Sequence, residues 1–296
     1  MEMRKLERRG FLKLSAAAAA GAAGLVGASA LAAEEEKKKR KWYKGLKIGM
    51  LPGNLSDEEK FKLAKRCGFD GIDASPMQDH EAARKLAQLA RDAGAPIHGL
   101  VYGWWPPFTD TRPETVQKSI DSMENALRCA KAMEATTVLL VPTSLNDDFS
   151  YADAYKLSQE YVRRLLPAAE ETGVVIAIEN VWNKFLLSPL EFARYLDEFE
   201  SPWIRAYFDV GNVIIHGFAQ HWIRILGKRI IKLDIKDFKR AGYEWKNVLD
   251  GDVNWPEVRK ALDEIGFEGF MTAEVGGGDE AYLRDLAGRL DKIIAG

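Results

Sequence analysis

Cysteine and histidine are scarce in this 296-residue chain, with Cys67 and Cys129 the only thiols and four histidines in all. No Cys-x-x-Cys occurs, which excludes a thiolate zinc site and a dithiol redox centre. The two cysteines fall on different predicted helices and are expected to be free thiols. A positive charge excess is also lacking. The formal net charge is −2, and residues 1–33 hold five basic and two acidic side chains, which leaves residues 34–296 near −5. Such a surface suits neither nucleic acid nor an anionic membrane as a partner. No glycine-rich phosphate turn follows the first predicted strand, where the chain reads Leu51-Pro52-Gly53-Asn54-Leu55. A dinucleotide-type open sheet therefore lacks its fingerprint. No Ser/His/Asp nucleophile arrangement is visible either.

What is present begins with a leader. Arg8-Arg9-Gly10-Phe11-Leu12-Lys13 is followed by an Ala-rich apolar run from Ser15 to Ala33, and Ala30-Leu31-Ala32 supplies small residues at a signal-peptidase spacing. The set resembles a twin-arginine export signal over residues 1–33. It implies an extracytoplasmic destination, the Tat translocase as a partner during export, and passage of an already folded domain. The apolar run is only weakly hydrophobic, so no stable membrane span is expected after processing. Glu34-Glu35-Glu36 and Lys37 to Lys41 read as a charged linker over residues 34–44. The folded domain is expected over residues 45–296.

From Leu46 onward, short apolar, β-branched runs alternate with longer amphipathic stretches. Strands are expected at Leu46–Leu51, Phe69–Ala74, Pro96–Gly103, Thr136–Thr143, Val174–Asn180, Ile204–Val210, Ile230–Phe238 and Gly269–Val275. Helices are expected at Asp57–Cys67, His80–Ala93, Pro113–Met133, Tyr151–Thr172, Ser188–Phe199, Asn212–Leu226, Pro256–Ile265 and Asp279–Ile294. Ser56-Asp57-Glu58-Glu59 has capping-box spacing, and Gly68, Gly94, Gly173 and Gly266 follow helix ends. Eight strand–helix units in strict alternation predict one α/β domain, a (β/α)8 TIM barrel.

Active sites of such barrels lie at the C-terminal ends of the strands. Four consecutive predicted strands end in or near a carboxylate: Glu179, Asp209, Asp234 and Glu274. The strand period of two places Ala177 with Glu179, Thr272 with Glu274, and Lys232 with Asp234 and Lys236. Four carboxylates at one barrel mouth repel one another unless a cation neutralises them. A divalent ion with oxygen ligands is expected; Mn²⁺ or Mg²⁺ fits, and Zn²⁺ is compatible. Asp237 is expected to face outward as a surface ion pair.

Ile178-Glu179-Asn180, Phe208-Asp209-Val210-Gly211-Asn212, Ile235-Lys236-Asp237, Gly251-Asp252-Val253-Asn254-Trp255 and the run Gly266 to Glu274 occur in order at characteristic intervals. By these blocks residues 46–296 resemble the xylose isomerase-like superfamily of sugar phosphate isomerases and epimerases. The resemblance implies that Glu179, Asp209 and Glu274 are metal ligands. It further implies that Glu179 and Glu274 move protons in the manner of the ketose epimerases. The fourth ligand of that pattern is normally His, where this chain has Asp234.

The implied chemistry is isomerisation or epimerisation of a free ketose or small hydroxy-ketone. Two carboxylates exchange a proton beside a carbonyl polarised by the metal. Lys236 is placed to donate to the oxyanion or, equally, to pair with Asp234. Arg240 and Asn212 are candidate contacts to substrate hydroxyls. Trp104, Trp105 and Trp182 are candidate walls, with core packing the competing role, and His98, on the strand that leads through Tyr102 to that mouth, is a further candidate substrate contact. His80, His216 and His221 read as structural. Two other functions remain open: an exported lyase or hydrolase of 3-keto-glycosides using the same proton abstraction, and a non-catalytic sugar-binding barrel. The same fold also carries metal-dependent endonucleases, which the charge disfavours. A carbohydrate is the expected small-molecule partner, with a homo-oligomer as a further expectation.

Overall fold

A computed structural model describes residues 42–104, 109, 110 and 112–296. The leader, the linker up to Lys41, Trp105 and Pro106-Pro107 lie outside the described residues. The barrel strands are β1 (Trp42–Lys47), β2 (Gly71–Ala74), β3 (Ile97–Gly103), β4 (Thr137–Leu140), β5 (Val175–Glu179), β6 (Ile204–Asp209), β7 (Ile230–Ile235) and β10 (Gly269–Ala273). Each pairs in parallel with its neighbours, in the closed order β1-β10-β7-β6-β5-β4-β3-β2. The eight-stranded barrel predicted from the alternation is the observed fold. Around it run α1 (Asp57–Cys67), α2 (His80–Asp92), α3 (Pro113–Ala132), α4 (Tyr151–Arg163), α5 (Leu166–Thr172), α6 (Pro189–Asp197), α7 (Ala219–Leu226), α8 (Trp255–Glu264) and α9 (Glu280–Ala295). No helix among the described residues is long and apolar enough to cross a membrane.

Local chemistry sets the boundaries. Ser56 and Glu59 form the expected capping box, and Gly68 closes α1 in the left-handed region at φ 97°. The helix expected over 151–172 is divided. Pro167, near the start of α5, has no N–H to donate to the preceding turn, so the chain breaks at Arg164-Leu165. Two other expectations shift. The first strand lies at Trp42–Lys47 rather than 46–51, anchored where Trp42 Nε1 donates to the Phe267 carbonyl at 2.7 Å, so Trp42 to Lys44 belong to the barrel. The helix expected from Asn212 begins only at Ala219, because residues 210–216 form turns.

The main apolar core lies between barrel and helices, where Leu46, Ile72, Ile178, Phe208 and Leu233 meet α-helical side chains such as Phe61 and Leu283. Burying each such side chain contributes on the order of 1.5–3 kcal/mol. Cys67 and Cys129 are buried free thiols on α1 and α3, as expected. The barrel interior is mixed by contrast, with a small apolar cluster of Leu139, Val141 and Ala177 beside buried polar groups. Asp73, His98, Lys232, Tyr207 and Thr272 are all buried there. Their bulk is admitted by glycine on β1, β2 and β3. A Cβ at Gly99 would stand 2.4 Å from Asp73 Oδ1 and 2.6 Å from Lys232 Nζ, and one at Gly45 2.6 Å from His98 Nε2.

A second, unforeseen sheet stands at the barrel mouth. The antiparallel pair β8 (Asp237–Lys239) and β9 (Glu244–Lys246) projects directly from the end of β7. Phe238, Tyr243 and Trp245 of this hairpin pack with Trp182 as an aromatic group.

Candidate metal centre

The strand ends bring all four carboxylates together. Glu179 closes β5, Asp209 closes β6, and Asp234 lies opposite Asp209 in the β6–β7 register. Glu274 follows β10, where its N–H donates to the Ile235 carbonyl and extends the ladder by one residue. One carboxylate oxygen from each lies within 4.8 Å of all the others. Opposite ligands of a single cation stand about 4–5 Å apart, so the set fits one ion. Asp209 and Asp234 are fully buried, and Glu179 is 5% exposed.

Two lysines enter the cluster. Lys236 Nζ lies 2.7 Å from Glu274 Oε2 and 2.8 Å from Asp209 Oδ2. Lys47 Nζ, from β1, lies 2.8 Å from Asp234 Oδ2 and 3.8 Å from Glu274 Oε1. The pairing therefore differs from expectation: Asp234 takes Lys47, while Lys236 bridges Asp209 and Glu274. Four carboxylates against two ammonium groups leave two negative charges, the number one divalent cation cancels. Moreover, Asp234 Oδ1 and Asp209 Oδ2 are buried without an aligned hydrogen bond, although Lys236 is near the latter. An acceptor left so in the interior costs roughly 1–3 kcal/mol, and a cation would relieve it. Glu179, Asp209, Asp234 and Glu274 are thus the residues that could hold the metal.

Burial differentiates the carboxylates. It raises Glu179 well above the usual carboxylate range, reinforced by Glu274, Asp234 and Asp209. Asp234 is also raised by burial, against the pull of Lys47. Asp209 is pushed up to about 6 by burial, with Lys236 opposing. Glu274 ends below its ordinary value: burial works to raise it, but Lys47 and Lys236 outweigh burial.

Asparagines set the ligand positions. Asn180 Nδ2 donates to the Asp209 carbonyl while its Oδ1 accepts from Asp209 N–H, both at 2.9 Å. Asn212 N–H donates to Asp209 Oδ1 at 2.7 Å, and its Nδ2 donates to the Asn180 carbonyl at 2.9 Å. These bonds brace β5 against β6. Asn212 is consequently committed to backbone rather than turned to a substrate, contrary to expectation.

Other candidates are likewise placed elsewhere. The Arg240 guanidinium donates to the carbonyls of Ile214 and Gly217, at 2.7 and 2.8 Å, so it supports the 214–217 turn. Asp237 is buried, not outward. It accepts from the N–H groups of Leu249 and Val253 and from Trp255 Nε1, shaping the loop into α8. His98 lies beneath the mouth, its ring stacked on Phe270 at 3.6 Å. A register shift pairs Ile72 with Ile97 but Asp73 with Gly99, so His98 is the extra residue of a bulge that turns it inward. There it lies 3.2 Å from Asp73 Oδ1 and 2.7 Å from Lys232 Nζ. Burial pulls Lys232 down to about 8.

Trp182 does reach the mouth. It is stacked on Trp245 at 4.8 Å with its Nε1 donating to the Asn212 carbonyl. Trp104 follows β3, half-exposed, beside a small cavity with Thr109 and Thr143, and Tyr102 turns toward α3, donating to the Ser119 carbonyl. His80 pairs with Asn125 at 3.0 Å on the outer helices.

Lys47, Asp73, Asn180 and Tyr207 went unrecognised in the sequence. Lys47 alternates with Gly45 on the inward face of β1, a signal visible once that strand is placed at 42–47. Its Nζ, 3.6 Å from Asp73 Oδ2, joins the carboxylates to the interior network, where the Tyr207 hydroxyl donates to Asp73 at 2.6 Å.

A profile of the xylose isomerase-like TIM barrel family matches residues 61–293. A Haemophilus influenzae protein provisionally named L-ribulose-5-phosphate 3-epimerase is 25% identical over 183 residues, which is 56% of this chain and 64% of that protein. Its Escherichia coli K12 namesake is 24% identical over 254 residues, 78% of this chain and 87% of the relative. Among solved structures, the E. coli 3-keto-D-glucoside 4-epimerase superposes with a TM-score of 0.70 at 16% identity, covering 87% of this chain and all of that one. At that identity the likeness speaks to fold alone.

Proposed function

Because the chain belongs to the xylose isomerase-like TIM barrel family, we propose that it is a divalent-metal-dependent isomerase or epimerase of a sugar or small hydroxy-ketone. The observation that carries this reading is the convergence of Glu179, Asp209, Asp234 and Glu274 within 4.8 Å of one another, with buried oxygens left for a cation. The epimerase names of the two relatives support it.

A divalent cation held by Glu179, Asp209, Asp234 and Glu274 would supply Lewis-acid polarisation of a substrate carbonyl. The protein's own groups handle the proton. Glu179 and Glu274 come from strands separated around the barrel by β6 and β7, so they approach a substrate from two sides. Glu274, kept ionised by Lys47 and Lys236, is the group to take a proton from the carbon beside the carbonyl. Glu179, on the other side of the cluster, is the group to return one. Lys236, 15% exposed at its side chain, is close enough to both Glu274 and the mouth to donate to an oxyanion. Asp234, with Lys47 behind it, replaces a neutral ligand by a charged one and favours hard cations such as Mn²⁺ or Mg²⁺ over Zn²⁺.

The test is proton–deuterium exchange beside the carbonyl, followed by NMR across ketoses and keto-glycosides. Exchange without elimination is expected. Glu179→Gln should lower the exchange rate by about 10²–10⁴-fold while the fold persists; turnover at the wild-type rate removes Glu179 from the mechanism. Elimination of a leaving group instead supports the lyase reading, and binding without exchange supports a sugar-binding barrel. We propose also that Arg8-Arg9 directs export by the twin-arginine route, which lysine at both positions should block in a periplasmic reporter assay.

A further inference from the structure

The four carboxylates stand on a second tier of inward side chains. With a strand period of two, the residues beneath Glu179, Asp209, Asp234 and Glu274 are Ala177, Tyr207, Lys232 and Thr272. Beside them, Lys47 of β1 lies opposite Asp73 of β2 in the parallel register. Asp73, Tyr207, Lys232 and Thr272 are each 3% exposed or less. The layers inside such barrels are ordinarily filled by branched apolar side chains, and charges taken this deep are costly even when paired. Tight packing alone therefore gives no reason for this tier, whereas its contacts lead to the carboxylates above.

Those contacts meet at Lys47. Its Nζ lies 2.8 Å from Asp234 Oδ2, 3.6 Å from Asp73 Oδ2, 3.8 Å from Glu274 Oε1 and 4.8 Å from the centroid of the Tyr207 ring. Asp73 is fixed in turn. The Tyr207 hydroxyl donates to its Oδ2 at 2.6 Å and lies 3.0 Å from Thr272 Oγ1, while Lys232 Nζ stands 3.9 Å from its Oδ1. With two ammonium groups and a phenol around it, Asp73 stays ionised. A lysine carries its charge on a flexible four-carbon stem, so these contacts decide where that charge sits.

Its position matters because an ammonium and a divalent cation compete for the same oxygens. Lys47 takes Asp234 Oδ2, and Asp234 Oδ1 is the buried oxygen without a hydrogen bond. An ammonium released from Asp73 would shorten its 3.8 Å contact to Glu274 Oε1 and crowd the set of oxygens that fits one ion. We infer that Asp73 and Tyr207 are positioning residues: Asp73, steadied by the Tyr207 hydroxyl, holds Lys47 back from Glu274 and so keeps the carboxylate ring open to a divalent cation. This rests on the metal reading above and adds to it the residues that set the strength of binding.

The test is a double-mutant cycle on the full-length protein, read as Mn²⁺ affinity by calorimetry. Tyr207→Phe keeps the ring and every charge, removes only the hydroxyl, and should weaken Mn²⁺ about tenfold. Asp73→Asn should cost at least as much, part of it the lost pull of the Asp73 charge on the cation. A Lys47→Met background retains that direct pull but has no ammonium to hold. There Tyr207→Phe should change the affinity less than about twofold, and Asp73→Asn about tenfold less than when Lys47 is present. Losses of equal size in both backgrounds mark a merely structural role and overturn the proposal, as does a Tyr207→Phe affinity equal to that of the wild type. Either substitution closes the cycle alone, so misfolding of one variant leaves the other decisive. Wild-type protein that binds no Mn²⁺ removes the metal site itself, and the positioning role with it.

Discussion

Cation binding should raise the melting temperature by an amount set by the excess of cation over its Kd. A ligand that binds only the folded state stabilises it by about 2.7 kcal/mol at a hundredfold excess over its Kd. For a domain of this size each kcal/mol moves Tm by roughly 2–4 °C, so about 5–11 °C is expected with Mn²⁺ or Mg²⁺. The increment must also depend on pH, because only ionised carboxylates ligate. Asp209 is pushed up to about 6 by burial, and Glu179 and Asp234 are raised as well. Protons therefore compete below pH 6, and Asp209 alone should weaken the cation about tenfold at pH 5 relative to pH 8. Without cation the sign is opposite. An acid whose folded pKa exceeds its unfolded value lends stability below the unfolded pKa and loses it as pH rises through the folded one. Asp209 thus contributes up to roughly 3 kcal/mol that disappears between about pH 4 and pH 6. Scanning calorimetry with EDTA and with added metal, at pH 5 and 8, reads both effects. A Tm indifferent to metal at pH 8, or an increment as large at pH 5, refutes the cation site.

Glycine placement supplies a paired test. Gly99→Ala drives a Cβ into Asp73, Lys232 and Thr137 and should cost about 1–3 kcal/mol, whereas Gly288→Ala, in α9 with nothing within 4 Å, should gain about 0.5–1 kcal/mol by urea denaturation. Asp237→Ala strands the loop N–H groups of Leu249 and Val253 and Trp255 Nε1; a loss of about 3–5 kcal/mol is expected, with the α8 loop first to exchange its amides.

The barrel and its four carboxylates were legible because both rest on repetition. Strand–helix alternation recurs eight times, and an acid closing four successive strands cannot be read as four unrelated caps. What escaped the reading depends on single, non-periodic events. A one-residue bulge turns His98 away from the mouth, and no propensity marks it. Pro167 splits a helix whose apolar period runs on across it. β1 was displaced because Trp42-Tyr43-Lys44 adjoins a charged run and looks like its continuation. Asn212, Arg240 and Asp237 share another cause. A polar side chain near a site either meets substrate or satisfies backbone, and sequence alone does not distinguish the two. Here the turns at 210–217 and 249–255 needed those donors and acceptors. The hairpin β8–β9 is too short to carry a period at all.

The contact between Lys47 and Asp234 bears on how such a site can change over time. The resemblance read from the sequence implies histidine at the Asp234 position, and in the proposed metal site the two ligand sets should not exchange one residue at a time without penalty. A neutral imidazole in place of Asp234 would leave the buried Lys47 ammonium facing a dication with its nearest counter-ion gone. Conversely, loss of Lys47 alone would leave the ring overcharged. If the site holds a cation, the two positions, 187 residues apart and on strands separated only by β10, should therefore be coupled. Drift toward one ligand chemistry is locked until its partner on the far end of the chain has moved, and relatives should carry the two states as a matched set.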